Sequence, residues 1–137
     1  SVTEAYKRQE SSLSFEDRGV AVLNAHLDFI IAKPQLPSFL FMEIFPSTEN
    51  FKLIKEKASS ALGSLNTQLK EALECANNNE EIDNISLPML ISDVVTLNAA
   101  TAISSQLATK LLNITKEEYV AMRKQENEIL IRKRLKK

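Results

Sequence analysis

The sequence predicts an all-α fold, a helical bundle of about five helices that dimerises through its last two long helices. Apolar residues recur with a helical period along most of the chain, and no segment alternates with period two for long enough to form a strand. Only two of the 137 residues are glycine, which disfavours a sheet protein with tight turns. A chain of this length forms one domain and buries roughly two thirds of its unfolded surface.

Two long helices are expected in the first half of the chain. Residues 14–32 share an apolar face that begins at Phe15. A second helix over residues 49–77 begins after a capping residue, Ser47 or Thr48. Its apolar stripe runs without interruption for about seven turns.

Two more long helices are expected in the second half. Ser86 and Pro88 are typical of a helix N-terminus, and the third helix then ends near Leu112. Thr115 and Glu118 form a capping box, so the fourth helix runs from residue 116 almost to the C-terminus.

A short helix over residues 36–45 lies between the first two long helices. Pro34 ends the preceding helix, Pro37 occupies the first turn of the short helix, and Pro46 ends it. Because this helix is apolar on nearly all sides, we expect it to be buried on several of them. Its surroundings are either packed core or a cavity for a small apolar ligand.

The third long helix is apolar on two faces. One face carries Leu90, Val94, Leu97 and Thr101, and the other carries Ile91, Val95, Ala99 and Ala102. One chain has too few helices to cover both faces, so we predict a homodimer through residues 87–135. The residues placed at or near the centre of this interface are Val94, Leu97, Thr101, Ala102 and Ile129.

Composition excludes several classes of protein. No apolar run reaches the length of about 18 residues that a membrane span needs, and the N-terminus does not read as a signal peptide. The single cysteine, Cys75, excludes an intrachain disulfide and fits a reducing cytoplasm. We therefore expect a cytoplasmic protein without membrane contact.

The C-terminal segment is basic although the net charge of the chain is only −1. Residues 116–137 hold eight Lys or Arg and four Glu. This run is consistent with a patch for nucleic acid or an anionic membrane. Favourable interaction with the negative end of the helix dipole, together with solubility, also explains it. No aromatic residue interleaves the run, and no turn-helix element accompanies it. The second interpretation is favoured.

No constellation of residues indicates an enzyme, a metal site or a cofactor. His26 is the only histidine, so a two-histidine metal site is not available. A serine nucleophile needs a base, and His26 is the only imidazole that could serve as one. Its place on an apolar face is typical of a hydrogen-bonded core histidine, with contact to a ligand as the alternative. Glu43 is the other polar group in an apolar setting, and it needs a donor such as His26.

Three segments carry a resemblance to a known family. They are Phe15-Glu16-Asp17-Arg18, the stretch from Lys33 to Ile44 with its Pro-x-Leu-Pro-x-Phe-Leu pattern and Glu43-Ile44, and Thr115-x-Glu117-Glu118-Tyr119 after the helix rich in small residues. Together they resemble the C-terminal domain of tetracycline-repressor (TetR) family regulators over nearly the whole chain. The resemblance implies an all-helical domain that binds an effector and dimerises, in a bacterial transcriptional regulator.

A sensor of this kind is expected to hold a mostly apolar pocket between residues 14–32, 36–45 and 49–77. The expected lining combines two polar groups with apolar side chains: His26, Phe29, Phe41, Met42, Glu43, Phe45, Leu65 and Leu69. The effector is then a small, mostly apolar molecule. The competing expectation is a filled core, in which His26 donates to a backbone carbonyl or to Glu43.

The chain departs from the family at its N-terminus. Family members begin with a DNA-binding domain of roughly fifty residues that carries a helix-turn-helix. We interpret residues 1–13 as a remnant of the linking helix and residues 14–137 as the ligand-binding and dimerisation domain. Operator DNA is then contacted only through the missing domain. The alternative function is a free-standing helical protein-interaction module without a small-molecule ligand.

Overall fold

The computed structural model describes residues 13–137, without the side chains of residues 61, 62, 64 and 65. The predicted linking helix therefore lies outside the described residues, apart from Leu13. Five helices follow one another along the described chain: α1 Phe15–Ile31, α2 Leu36–Phe39 with a π-helical segment Leu40–Ile44 directly after it, α3 Thr48–Asn78, α4 Leu87–Leu111 and α5 Lys116–Leu135. The described residues contain no strand, so the prediction of an all-α fold is confirmed.

The long helices begin where local capping predicts. At each N-terminus a hydroxyl accepts a hydrogen bond from the backbone N–H three residues later, over 3.1–3.3 Å. The four capping residues are Ser14, Ser47, Ser86 and Thr115. At the end of α4, Asn113 adopts the left-handed conformation with φ of 54°, in which asparagine is tolerated better than most residues.

The core lies where α1, α4 and α5 meet. α4 and α5 form the most extensive helix pair, and α1 packs against both of them. The buried apolar cluster also includes residues from the end of α3 and from the loop after it: Phe15, Val20, Leu23, Leu73, Ala76, Ile82, Ile85, Leu90, Ile131 and Leu135. The loop is tied to α5 because the Asp83 N–H donates to the Leu135 carbonyl over 2.9 Å.

The face of α5 that packs into the core differs from the stripe suggested by its apolar residues. Asn127, Ile131 and Leu135 are buried. Met122 and Ile129, two of the apolar residues of α5, are exposed. A buried asparagine on the inner face makes this face look polar in the sequence.

Polar side chains join α4 to α5 inside the core. Arg123 Nη2 donates to Asn127 Oδ1 over 2.6 Å, and Asn127 Nδ2 donates to Thr101 Oγ1 over 3.0 Å. The Thr101 hydroxyl in turn donates to the Leu97 carbonyl over 2.8 Å. Asn127 and Thr101 are each 1% exposed, so these bonds replace lost hydration and fix the position of one helix along the other.

Arg132 ties α5 to the N-terminus of α1. Its guanidinium lies 2.9 Å from Glu16 and 2.8 Å from Asp17, and 3.1 Å from Glu128 one turn earlier on α5. The hydrogen bond from Arg132 lowers the pKa of the Asp17 carboxyl, and these acidic partners raise the pKa of Arg132. The basic C-terminal segment is therefore partly paired with acidic residues of the same chain.

α4 is long and apolar enough to cross a membrane, by length and composition alone. This differs from the expectation of no membrane span. That expectation required an uninterrupted apolar run, and polar residues such as Asp93 and Asn98 interrupt the apolar residues of α4. α4 packs against α1 and α5, and most of its apolar stretch remains at least partly exposed in the single chain.

Replacing Gly19 with alanine is expected to raise the free energy of unfolding by about 0.5–1 kcal/mol, because glycine loses more backbone entropy in a helix interior. A Cβ atom at residue 19 of α1 meets Leu135 Cδ1 at 3.7 Å, an ordinary contact. Urea unfolding of the G19A variant measures the effect.

The matched control is Gly63→Ala on α3, where a new Cβ meets no described atom within 4 Å. Both variants gain helix propensity, and only G19A adds a contact between α1 and α5. If G19A is less stable than the unaltered chain while G63A is more stable, the distance between α1 and Leu135 of α5 is too short for a Cβ atom at residue 19, which would contradict the structure.

Candidate ligand-binding site

A partly open cleft of about 240 Å³ lies between α1, α3 and α4, and α5 contributes one residue to it. The described residues of its walls are apolar except for one imidazole and one amide. The lining residues are Gly19, Val22, His26, Asn66, Leu69, Leu90, Ile91, Val94, Val95 and Ile131. This mixture of apolar walls and few polar groups is typical of small-molecule sites.

His26 is held in place by Asn98 of α4. Asn98 is fully buried, and its Nδ2 lies 2.8 Å from His26 Nδ1 and 2.9 Å from the Leu23 carbonyl oxygen. Within the described part of the chain, Asn98 Oδ1 has no hydrogen-bond partner. In the filled core that was the competing expectation, His26 donates to Glu43 or to a backbone carbonyl. The structure instead pairs His26 with the side chain of Asn98.

Burial lowers the pKa of His26 below its ordinary value of 6.5. Its imidazole is therefore neutral at pH 7, since desolvation penalises the charged form. A neutral imidazole offers one donor and one acceptor nitrogen, which matters for any ligand in the cleft.

The structure brings together only part of the predicted lining. His26 and Leu69 line the cleft, and the side chain of Leu65 lies outside the described residues. Met42 and Glu43 instead line a second, more polar cleft of about 320 Å³ beside Gln106 of α4. The short helix therefore does not close the cleft that holds His26.

The remaining predicted residues, Phe29, Phe41 and Phe45, are exposed. Phe29 lies under the Lys33 ammonium, 4.6 Å from the ring centroid. Phe41 and Phe45 pack edge to face with centroids 5.4 Å apart, and Phe45 packs in the same way against Phe51 of α3 at 5.9 Å. The expectation that the short helix is buried on several sides is wrong, because it packs mainly on the start of α3 at the edge of the bundle.

The structure places the residues predicted for the dimer interface in different environments. Thr101 and Ala102 are buried within a single chain, so they present no side-chain surface to a second copy. Val94 lines the cleft, and Leu97 packs against the core. Ile129 remains exposed. The correction follows from α1 and α5, which together cover the faces of α4 that the sequence left for a partner.

The sequence did not single out Asn66, which lines the cleft, or Asn98, which holds His26. Asn98 is the more informative of the two. Its signal is an amide in the middle of an otherwise apolar helix, where a polar group needs a buried partner. That partner, His26, lies 72 residues away in the sequence, so spacing does not reveal the pair. Val95 and Leu90 were identified only as apolar face residues.

Within the described residues, no group of three or more His, Cys, Asp or Glu side chains is arranged to hold a metal ion. No family model, curated protein or solved structure matches this chain.

Acidification is expected to destabilise the fold through His26. Between the lowered pKa of the folded state and 6.5, the unfolded chain binds more protons, so the free energy of unfolding falls as pH falls through this window. Urea unfolding at about pH 7.5 and about pH 5.5 measures the change.

The matched variant is His26→Gln, which keeps an acceptor for Asn98 and cannot titrate. Its loss of stability over the same interval should be smaller than that of the unaltered chain. Equal losses in both proteins would show that His26 does not carry the effect.

Proposed function

We propose that this chain is the ligand-sensing and dimerising domain of a bacterial TetR-like transcriptional regulator. The single observation that carries the proposal is the apolar cleft with one fixed imidazole between α1, α3 and α4. The resemblance of the Pro-x-Leu-Pro-x-Phe segment and its neighbours gives the same assignment from the sequence. Operator DNA is contacted by a separate N-terminal domain.

The cleft supports a sensing mechanism because of the helices that form it. A ligand between α1 and α4 contacts both helices, and α1 directly follows the segment interpreted as the link to the DNA-binding domain. A ligand that binds one arrangement of α1 and α4 more tightly shifts the population toward that arrangement. The spacing of two DNA-binding domains in a dimer changes with it.

An exposed apolar face on α4 supports dimerisation. The exposed residues of this face are Met89, Thr96, Ala100, Ile103 and Leu107. They follow one another at intervals of seven, four, three and four positions, so they lie on one side of the helix. Met122 and Ile129 of α5 are exposed and seven positions apart. Small residues in the middle of the α4 face permit close approach of a second helix. This face replaces the one that the sequence assigned to the interface.

A free-standing helical interaction module is the second candidate. It is favoured by the exposed aromatic group of Phe41, Phe45 and Phe51, because contiguous exposed aromatic side chains are typical of protein-binding surfaces. The encoding gene separates the two candidates. A reading frame with a helix-turn-helix domain directly before Ser1 supports the sensor, and a start codon immediately before Ser1 supports the module.

The purified chain is expected to be a dimer at tens of micromolar, as measured by light scattering. Leu107→Glu should convert it to a monomer, because an unpaired charge inside an interface costs on the order of 3–5 kcal/mol. Leu107 is 57% exposed in the single chain, so the substitution spares the fold.

Gln106→Glu is the matched control, since it adds the same charge at an exposed neighbour that points away from the α4 face. It should leave the dimer intact. A monomeric parent chain, or equal dissociation by both variants, would contradict the proposed interface.

Binding of this chain to DNA is expected to be weak and independent of sequence. The basic residues of α5 supply charge without base-reading groups, and Arg132 and Arg134 are paired with acidic side chains. Electrophoretic mobility shifts over a range of salt concentrations measure this. Preference for one DNA sequence at physiological salt would contradict it.

A further inference from the structure

The hydrogen bonds of Asn98 determine the tautomer of His26. A carbonyl oxygen only accepts hydrogen bonds, so the amide group of Asn98 that lies 2.9 Å from the Leu23 carbonyl must be the NH₂. The opposite amide orientation would place two acceptor oxygens against each other. The same NH₂ lies 2.8 Å from His26 Nδ1, and this nitrogen therefore accepts the second hydrogen.

A neutral imidazole that accepts at Nδ1 carries its proton on Nε2. Since Nδ1 is directed at Asn98, Nε2–H lies on the other side of the ring. Among the described residues, Asn98 is the hydrogen-bond partner recorded for the ring. His26 lines the cleft together with the apolar side chains of Val22, Leu69 and Val94.

These walls select against two kinds of ligand. A charged molecule loses its hydration on entry, and the described residues that line the cleft supply no opposite charge. A pure hydrocarbon fills the space but leaves the donor of His26 without a partner. The cleft measures about 240 Å³. For comparison, an apolar cavity of roughly 150 Å³ holds a benzene molecule.

We infer that the cleft binds an uncharged, mostly apolar molecule of one or two rings with a single hydrogen-bond acceptor, to which His26 Nε2–H donates. This inference rests on the proposed sensor function and names the ligand class for the same site. Asn98 acts as a positioning residue, because it holds the ring in the tautomer that donates into the cleft.

Three small probes of matched shape test the ligand class on the full chain. Acetophenone carries a carbonyl acceptor, ethylbenzene has a methylene in its place, and benzoate is charged. Dissociation constants are measured by NMR titration. Replacing His26 with phenylalanine should lower the preference for acetophenone over ethylbenzene by roughly two- to tenfold, the value of one neutral hydrogen bond. Benzoate should bind more weakly than acetophenone.

The control variant is Gln125→Leu, which removes an exposed amide of α5 that does not line the cleft. It should leave the preference unchanged. Two results would overturn the ligand class and leave the sensor function standing. In the first, acetophenone and ethylbenzene bind, but His26→Phe does not change the preference between them. In the second, benzoate binds most tightly of the three. If none of the probes binds the unaltered chain, both are overturned.

The tautomer itself is measurable without any variant. The chain has one histidine, so its imidazole nitrogen NMR signals need no assignment. At neutral pH, the expected spectrum has a protonated Nε2 and an unprotonated Nδ1. A ring protonated at Nδ1 would overturn the inference, whatever the stability of the variants.

Discussion

The burial of polar side chains along α4 is the constraint on which the rest of the structure depends. Asn98, Thr101 and Ser105 lie on the face of α4 that packs inside the bundle, and each is at most 1% exposed. Asn98 reaches α1 through His26 and Leu23, and Thr101 reaches α5 through Asn127. An unpaired polar group at these depths costs about 1–3 kcal/mol, so the hydrogen bonds of Asn98 Nδ2 and Thr101 Oγ1 favour this packing of the three helices.

This arrangement determines where the cleft and the exposed face lie. With Thr101 and Ala102 turned inward, Val94 and Val95 border the space between α1 and α3. Ile103 and the apolar residues aligned with it are then left on the outside of α4. A candidate ligand site and a candidate interface therefore occupy different sides of one helix. Any shift of α4 about its axis changes both.

Charge has a more local role in this fold. Arg132 holds the N-terminus of α1 against the C-terminal half of α5 through Glu16 and Asp17. These groups are partly exposed, so the interaction contributes modestly to stability and more to the position of the helix ends. Arg132 of the basic C-terminal run thus contributes to the fold through ion pairs within the chain.

The sequence by itself determined the helices, and the tertiary structure decided which of their faces are covered. Hydroxyl caps at Ser47, Ser86 and Thr115 act within three residues, so helix starts are visible in the sequence. His26 was also visible in the sequence, because it is a polar residue on the apolar face of a single helix. Its partner Asn98, the exposure of Phe41 and the burial of Thr101 depend on contacts between helices that lie far apart in the chain. Burial is a property of the pair of helices in contact, and periodicity describes only one of them.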